Sequence, residues 1–169
     1  SFFIGKTYEV PGARLDGSFV LGDFESENGV DAWETKAATA EISGEHAASG
    51  LNSARVVFHP GKEANFQLEQ YFTSRHAVFD WSLFRNVGFY IFNPAPDASR
   101  VLFQVGDRKG RFYKDQFFLN GNTGESFTVP MSKIAAAVNV KRIAYIRFFI
   151  WAPNKNCEFF FDDVQLEKT

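Results

Sequence analysis

The chain has 169 residues, a mass of 19.1 kDa, 45% hydrophobic residues and a net charge of -2. This length and composition predict a single folded domain, residues 1–169, and exclude a disordered chain. The near-neutral charge without a basic run argues against a nucleic-acid partner, and no apolar run approaches the roughly 20 residues that span a bilayer.

Phenylalanine, with 21 copies, is the most over-used residue, and helix formers are sparse. Aromatic and β-branched residues favour strands, and Gly, Pro and Asn turns separate the apolar runs. About ten strands are predicted, at residues 20–24, 33–42, 53–58, 66–72, 87–93, 101–107, 112–119, 127–129, 143–151 and 158–166. Segment 33–42 is strand or irregular, 81–85 is a bridge with one helical turn, and 132–138 is the one helix, capped by Ser132.

This order predicts an all-β fold, a two-sheet antiparallel β-sandwich of the jelly-roll kind with its core at about residues 19–167. An immunoglobulin-like sandwich is the alternative, although it usually needs fewer residues. Cys157 is the single cysteine, so an internal disulfide is impossible, and with three histidines it leaves little for a zinc cluster.

The closing strand carries two adjacent acids, Asp162 and Asp163, within an aromatic run. Alternation predicts that Phe160, Asp162 and Val164 share one face with Leu166, and that this face is the core. Asp163 then points outward, toward solvent or a ligand. A carboxylate on a core face is costly unless it is neutralised, so the segment favours a bound cation.

Several stretches, in order, resemble carbohydrate-binding modules of the galactose-binding-like jelly-roll type. They include Asp23-Phe24-Glu25-Ser26, the loop from Glu45 to Gly50 with Ser53 to Val56 after it, and Phe161 to Leu166. The middle of the chain, from Phe89 to Pro94 onward, is similar to non-catalytic modules attached to agarases and other glycoside hydrolases. The resemblance extends from Leu21 to Leu166 and implies a polysaccharide or oligosaccharide ligand.

In such modules a structural calcium ties the first strand to the last. The resemblance implies that Glu25 and Asp162 are its ligands here, with Asp23 a weaker candidate and carbonyls of the loop from Glu45 to Asn52 completing the shell. The alternative is that Asp162 caps a neighbouring loop through backbone N–H groups while Glu25 is merely exposed.

Alternation within the central strands sorts core residues from outward ones and predicts a face for sugar. Outward positions that combine aromatic rings with amide and guanidinium groups suit pyranose faces and hydroxyls. The candidate sugar-binding residues are Tyr90, Gln104, Gln116, Arg147 and Trp151.

Three other features have predicted structural roles. Trp33 and Trp81 border apolar runs and are expected to pack in the core. Asp107 is expected to order its hairpin by hydrogen bonds. The charged turn 107–111 is read as a solvated tip, with binding of an anionic sugar as the alternative.

No catalytic constellation is evident. Asp162 and Asp163 point to opposite faces in this register and cannot flank one glycosidic bond, and His46, His59 and His76 show no recognisable spacing. The sequence favours a non-catalytic carbohydrate-binding module that targets an attached glycoside hydrolase. A structural accessory sandwich without sugar binding is the alternative, and a small polysaccharide lyase is the least favoured.

The chain starts with Ser1 and not with methionine, so a processed product or a piece of a larger multidomain enzyme is expected. Its expected partners are the sugar and a catalytic domain of the same polypeptide, with neither nucleic acid nor membrane. The resemblance implies a secreted or cell-surface location.

Overall fold

The computed structural model describes residues 12–69 and 78–168 and contains two antiparallel β-sheets packed face to face, as predicted. The strands are β1 (Gly12–Ala13), β2 (Phe19–Gly22), β3 (Trp33–Lys36), β4 (Ala38–Ser43), β5 (Ser53–Phe58), β6 (Glu63–Glu69), β7 (Asn86–Asn93), β8 (Ser99–Asp107), β9 (Phe112–Leu119), β10 (Thr123–Pro130), β11 (Ile143–Trp151) and β12 (Cys157–Glu167). The helix α1 spans Met131–Ala135.

Sheet A is built around the last strand. The first half of β12 pairs with β5 and the second half with β2, while β7 pairs along its other side. Strands β4 and β10 extend the sheet beyond β5 and β7, and β1 pairs with β2. The first and last parts of the chain are therefore neighbours in this sheet.

Sheet B has five strands in the order β3-β6-β11-β8-β9. Strand β11 lies at its centre, bonded to β6 on one side and to β8 on the other. Strands β3 and β9 are its edges, which places the outward side chains of β11 in the middle of a broad face.

The core between the sheets is largely aromatic. Phe89 of sheet A lies 5.2 Å from Phe103 and 5.0 Å from Phe148 of sheet B, measured between ring centroids, and Phe148 lies 4.8 Å from Phe161. Offset and edge-on ring pairs of this kind add to the free energy of apolar burial. Trp33 and Trp81 are 6% and 0% exposed, which confirms their predicted packing roles.

Four element boundaries differ from the predictions. The predicted strand 33–42 is two strands, because Ala37 has φ of 51° and breaks the run. The predicted strand 66–72 is β6, but residues 70–72 lie outside the described residues. The helix is shorter than 132–138; it begins after Pro130, and Ser132 provides no side-chain cap. Strand β10 extends well before 127 because it pairs with the whole of β7.

Asp107 orders the turn between β8 and β9, as predicted. Its Oδ1 accepts the backbone N–H groups of Lys109 and Arg111 at 2.9 and 3.1 Å, and its Oδ2 accepts from Arg111 Nε at 2.8 Å and from the Asn139 N–H at 2.9 Å. Burial raises the pKa of Asp107, but these hydrogen bonds outweigh burial, so the pKa lies below its ordinary value.

Among residues 12–69 and 78–168, no helix has the length and apolar character needed to cross a bilayer.

Replacing Asp107 with Asn should lower the free energy of unfolding by about 1–3 kcal/mol, because an amide cannot accept four donors and loses the charge that pairs with Arg111. A lowered folded-state pKa stabilises the protein above the unfolded-state value of about 4, and this contribution is lost as pH falls. Urea unfolding from pH 7 to pH 3 measures both effects. The wild-type advantage over Asp107→Asn should shrink below about pH 4.

The control is Asp97→Asn, which removes a charge from an exposed side chain and should change stability by about 0.5 kcal/mol or less. Equal losses in the two variants, or an Asp107 effect that does not depend on pH, would contradict the role assigned to the carboxylate.

Candidate functional site

The outer face of sheet B is organised by the central strand β11. Ile146 and Phe148 are fully buried in the core, so Tyr145, Arg147 and Phe149 point outward together with Trp151. This confirms the alternation predicted for the strand. We call this outer surface the open face.

Strand register places polar side chains in a row across the open face at the level of Arg147. Arg147 pairs with Gln67 of β6 and with Gln104 of β8. Glu34 lies beyond Gln67, and Lys114 lies beyond Gln104. Two amides therefore flank a guanidinium, with opposite charges at the two ends of the row.

A second row crosses the face at the level of Phe149. Asn65 and Leu102 are the partners of Phe149, with Lys36 beyond Asn65 and Gln116 beyond Leu102. Although it points outward, Phe149 is only 1% exposed. The ammonium group of Lys114 lies 5.6 Å from its ring centroid and helps to cover it.

Hydrogen bonds fix the polar groups of the first row. Arg147 Nε donates to Gln67 Oε1, and Gln67 Nε2 donates to Glu69 Oε1, each at 2.5 Å. Gln104 Nε2 donates to the Tyr145 hydroxyl at 2.6 Å, and the Arg147 guanidinium lies 4.6 Å from the Tyr145 ring centroid. This network holds donors and acceptors in place before any ligand arrives.

Burial raises the pKa of Glu69, and the Glu34 carboxylate raises it further, against the hydrogen bond from Gln67 and the charge of Arg147. Glu69 is half-buried at this end of the network.

A shallow depression of about 290 Å³ lies over β3, β6 and β11. Its lining includes Glu34, Lys36, Glu63, Asn65 and Arg147. Asn65 donates from Nδ2 to Glu63 at 3.0 Å, but its buried Oδ1 has no hydrogen-bond partner among the described residues. An unpaired buried carbonyl oxygen costs free energy, which a donor supplied by a ligand would recover.

Exposed aromatic rings border the open face. Trp151 is 63% exposed on β11, and Phe118 and Phe112 are 62% and 51% exposed on the edge strand β9. Large exposed rings at the edge of a polar face are typical of an interaction surface.

The structure brings together four of the five predicted sugar-binding residues. Gln104, Gln116, Arg147 and Trp151 lie on the open face, whereas Tyr90 lies on β7 in sheet A, opposite Asp162. Strands β7 and β11 both alternate core apolar residues with outward aromatic ones, so sequence alone did not separate the two sheets.

The prediction did not include Asn65, Gln67, Glu34 or Tyr145. The alternation of Gln67 and Glu69 with the core residues Phe66 and Leu68 is the signal in β6 that identifies this strand as a contributor.

On the outer side of sheet A, carboxylates bind the loop between β4 and β5. Glu25 accepts the backbone N–H groups of Leu51 and Asn52 at 2.8 and 3.0 Å. Asp162 Oδ2 accepts those of Ala48 and Ser49 at 2.8 and 3.2 Å. The capping that was the alternative to calcium is thus present for Asp162, and Glu25 is not merely exposed, because it caps the same loop.

The predicted core face of the closing strand is confirmed for Val164 and Leu166 but wrong for Phe160 and Asp162. Phe159, Phe161, Val164 and Leu166 form the core side, and a β-bulge between Asp162 and Gln165, with φ of 49° at Asp163, shifts the alternation by one residue. Phe160 and Asp162 are on the opposite side, buried under the loop.

The bulge also changes the position of Asp163. Its Oδ1 accepts the Ser49 hydroxyl at 2.8 Å, so both acids contact the same loop and do not point to opposite faces. Asp162 is 0% exposed beneath that loop, which keeps it away from any substrate. Burial, not the separation of faces, therefore removes these residues as a catalytic pair.

The loop is held over the outer side of sheet A by an aromatic contact as well. The His46 ring stacks on Phe92 at 3.7 Å between centroids and meets Phe160 edge-on at 4.7 Å.

Four acids lie around this loop, Asp23, Glu25, Asp162 and Asp163, and two of them, Asp162 and Asp23, have a raised pKa. The pKa of Asp162 is raised to about 7, first by burial and then by the Asp163 carboxylate, while backbone N–H groups oppose the rise. Burial also raises the pKa of Asp23, although Arg14 forms an ion pair with it at 3.1 Å.

The residues around this loop meet some of the requirements of a calcium site. In the described part of the chain, no three His, Cys, Asp or Glu side chains are arranged to hold a metal ion. The carboxylates of Glu25 and Asp162 nevertheless supply oxygen ligands and both bind the loop between β4 and β5. A calcium site here fits if the two carboxylates are completed by loop carbonyls, which are common calcium ligands.

Similar solved structures share the fold. A family 11 carbohydrate-binding module from Clostridium thermocellum, in complex with a β-1,3-1,4-mixed-linked tetrasaccharide, matches with a TM-score of 0.69 and 16% identity over 92% of this chain and 98% of the module. The CBM22-1 xylan-binding domain from Paenibacillus barcinonensis matches with a TM-score of 0.57 and 12% identity over 95% of this chain and 99% of the domain.

An exo-β-agarase matches with a TM-score of 0.73 and 12% identity over 89% of this chain, but only 25% of the agarase is covered. No family model matches the sequence, and no curated protein matches it significantly. The jelly-roll fold predicted from the resemblance to carbohydrate-binding modules is confirmed.

Replacing Gly50 with Ala should detach Glu25 from the loop. Gly50 has φ of 65°, and a Cβ there would lie 2.4 Å from Glu25 Oε1. We expect a loss of about 2–4 kcal/mol in the free energy of unfolding in calcium-free buffer, from the left-handed backbone and the displaced hydrogen bonds. Urea unfolding measures it.

Gly110→Ala is the matched control. Gly110 has φ of 83° but open space around its Cβ position, so only the backbone cost of about 1–2 kcal/mol applies. A Gly50 variant no less stable than the Gly110 variant would mean that the Glu25 contact contributes nothing.

Proposed function

We propose that this chain is a non-catalytic carbohydrate-binding module whose ligand, a polysaccharide or oligosaccharide, lies across the open face of sheet B. The observation that carries the proposal is that the exposed Trp151 lies on the same face of β11 as a hydrogen-bonded row of amide and guanidinium groups. A flat aromatic ring offers an apolar surface to the face of a pyranose, and neighbouring polar groups pair with its hydroxyls.

The unpaired Asn65 Oδ1 supports the same location. A sugar hydroxyl donates a hydrogen bond, and the depression that contains Asn65 adjoins the strand that carries Trp151. A ligand above β6 and β11 would therefore find a stacking surface, several hydrogen-bonding groups and an acceptor that gains a partner.

The fold neighbours support the class of ligand. The family 11 module was solved with a mixed-linked tetrasaccharide, and the CBM22-1 domain is described as xylan-binding. An identity of 16% carries the fold and not the specificity, so the choice of polysaccharide depends on the side chains of this chain.

We further propose that the module is attached to a glycoside hydrolase and acts outside the cell, where its polysaccharide is found. The match to a quarter of an exo-β-agarase supports this arrangement, since the same fold there is one part of a longer enzyme. Binding would raise the concentration of the catalytic domain near its substrate.

We also propose a structural calcium bound by Glu25 and Asp162, with Asp23 as a weaker third carboxylate and loop carbonyls completing the shell. The excess of carboxylates around one loop supports it, because a divalent cation would offset the repulsion between Asp162 and Asp163. Its role would be to hold the first and last strands to the loop.

Trp151→Ala should weaken oligosaccharide binding at least about tenfold, because the stacking surface is removed. The ligand is first chosen from a glycan array, and the affinity is then measured by isothermal titration calorimetry.

Two variants serve as controls. Leu83→Ala removes an exposed apolar side chain outside sheet B, and Tyr90→Phe removes the hydroxyl of the predicted residue on sheet A. Both should keep wild-type affinity. A module that binds no glycan with calcium present is instead an accessory sandwich, whose exposed rings would pack against a catalytic domain.

Chelation should lower stability if calcium is bound. At a free calcium concentration 100 times its Kd, the gain is about 2.7 kcal/mol, or roughly 5–10 °C in Tm for a domain of this size. Differential scanning calorimetry with calcium or with a chelator measures the shift. Glu25→Gln and Asp162→Asn should abolish it, and Asp97→Asn should not. An unchanged Tm in millimolar calcium would exclude the site.

A further inference from the structure

A basic cluster forms at the end of sheet B where β8, β9 and β11 meet. Three segments build it: the turn 108–111, the segment 139–142 before β11, and residues 78–80. Its cationic side chains are Arg108, Lys109, Arg111, Lys141 and Arg142, all exposed on a chain whose net charge is -2.

Backbone hydrogen bonds tie the three segments together. The Arg108 N–H donates to the Arg142 carbonyl at 3.0 Å, and the Ile143 N–H donates to the Phe79 carbonyl at 2.8 Å. Asp107 joins the turn to the next segment through Arg111 and Asn139. The cations therefore project from a fixed frame and not from a loose loop tip.

Two guanidinium groups share one aromatic ring. The Arg108 and Arg142 guanidinium carbons lie 5.4 and 5.8 Å from the Phe79 ring centroid. The electron-rich face of the ring attracts each cation and helps to hold it in place. Both side chains also line one cavity, so both can offer hydrogen bonds to an anion in it.

Two nearby acids offset only part of the charge of the five cations: Asp107 pairs with Arg111, and the pKa of Asp80 is lowered by the hydrogen bonds from Ser82 and then by the charges of Lys141 and Arg142. Asp107 is 4% exposed and accepts four hydrogen bonds, and Asp80 accepts the backbone N–H and the hydroxyl of Ser82. Within residues 12–69 and 78–168, Lys109 and Arg142 form no ion pair with a carboxylate. Positive charge at this end is thus left available to a ligand.

The cluster encloses space for a ligand group. A cavity of about 240 Å³ is lined by Arg108, Lys109, Arg111, Arg142, Asp107 and Asn139. This volume is ample for a carboxylate or a sulfate ester but small for a whole oligosaccharide.

The cavity adjoins the open face. Ile143 pairs with Asp107 at the end of sheet B, and Tyr145 and Phe112 flank Gly106 in the next row. Arg147 is four residues along β11 from Ile143, about 13 Å at the usual rise per residue. A sugar chain that follows β11 from Trp151 past Arg147 would lead to the basic cluster.

We propose that the basic cluster binds the anionic groups of a charged polysaccharide, either sulfate esters or uronate carboxylates, as a second contact beyond the open face. The inference rests on the proposed function for the polysaccharide nature of the ligand, but it uses different residues. On this inference, the turn 107–111 is part of an anion-binding site and not only a solvated tip.

The test compares three oligosaccharides of equal length: a neutral agaro-oligosaccharide, a sulfated carrageenan oligosaccharide and an oligogalacturonate. Affinities for the full 169-residue chain are measured by calorimetry at 50 and 300 mM NaCl. At least one charged oligosaccharide should bind about tenfold more tightly than the neutral one at low salt, and the advantage should shrink at high salt because screening weakens exposed charges. The charged oligosaccharide that shows the advantage identifies sulfate or carboxylate as the source.

The double variant Lys109→Gln/Arg142→Gln should lose this advantage while keeping affinity for the neutral oligosaccharide. Arg85→Gln/Lys133→Gln is the matched control, since it removes one Arg and one Lys charge from exposed positions that do not line the cavity. The control should keep the full advantage.

Three results overturn the inference: no charged oligosaccharide is preferred, the cluster variant keeps the preference, or both double variants lose it equally. Trp151→Ala separates this failure from failure of the proposed function. If the neutral oligosaccharide binds, Trp151→Ala weakens that binding and no charged oligosaccharide is preferred, only the basic site is refuted. If a charged oligosaccharide is preferred but Trp151→Ala has no effect on binding, only the open-face site is refuted.

Discussion

The pairing of the last strand with three others is the constraint on which the structure depends. Strand β12 bonds to β5 and β2 along one side and to β7 along the other, so sheet A exists only once the end of the chain is in place. The two neighbours on one side, β5 and β2, come from different parts of the chain. The bulge at Asp163 shifts the alternation of β12 by one residue, so both Phe161 and Val164 lie in the core.

Carboxylates hold one turn of sheet B and one loop above sheet A by the same physical rule. Loops leave backbone N–H groups without partners, and a buried carboxylate accepts several of them at once. Asp107 does so at the turn end of sheet B, and Glu25 and Asp162 do so above sheet A. The difference lies in the compensating charge, because Arg111 pairs with Asp107 while Asp162 has Asp163 as its neighbour.

Sequence alternation predicted the faces of β7, β8, β9 and β11 because these strands keep a period of two. It therefore placed Gln104, Gln116, Arg147 and Trp151 outward. It could not assign Tyr90 to a different sheet, because sheet membership depends on long-range pairing and not on local pattern. It failed within β12 because a bulge leaves no mark in the residue types: Asp162 and Val164 are two residues apart, yet they lie on opposite sides.

The outer faces of the two sheets differ in what covers them. On the outer face of sheet B, Trp151 is exposed and polar side chains pair with neighbours across the sheet, and Asn65 Oδ1 is the one buried side-chain atom of the described residues without a hydrogen-bond partner. Sheet A has the 44–52 loop over Phe160 and Phe92, which removes those rings from any ligand. This covering of sheet A is one reason why the proposed ligand site lies on sheet B. The basic cluster lies where β8, β9 and β11 meet, so a ligand bound along β11 as proposed would reach positive charge at one end of its path.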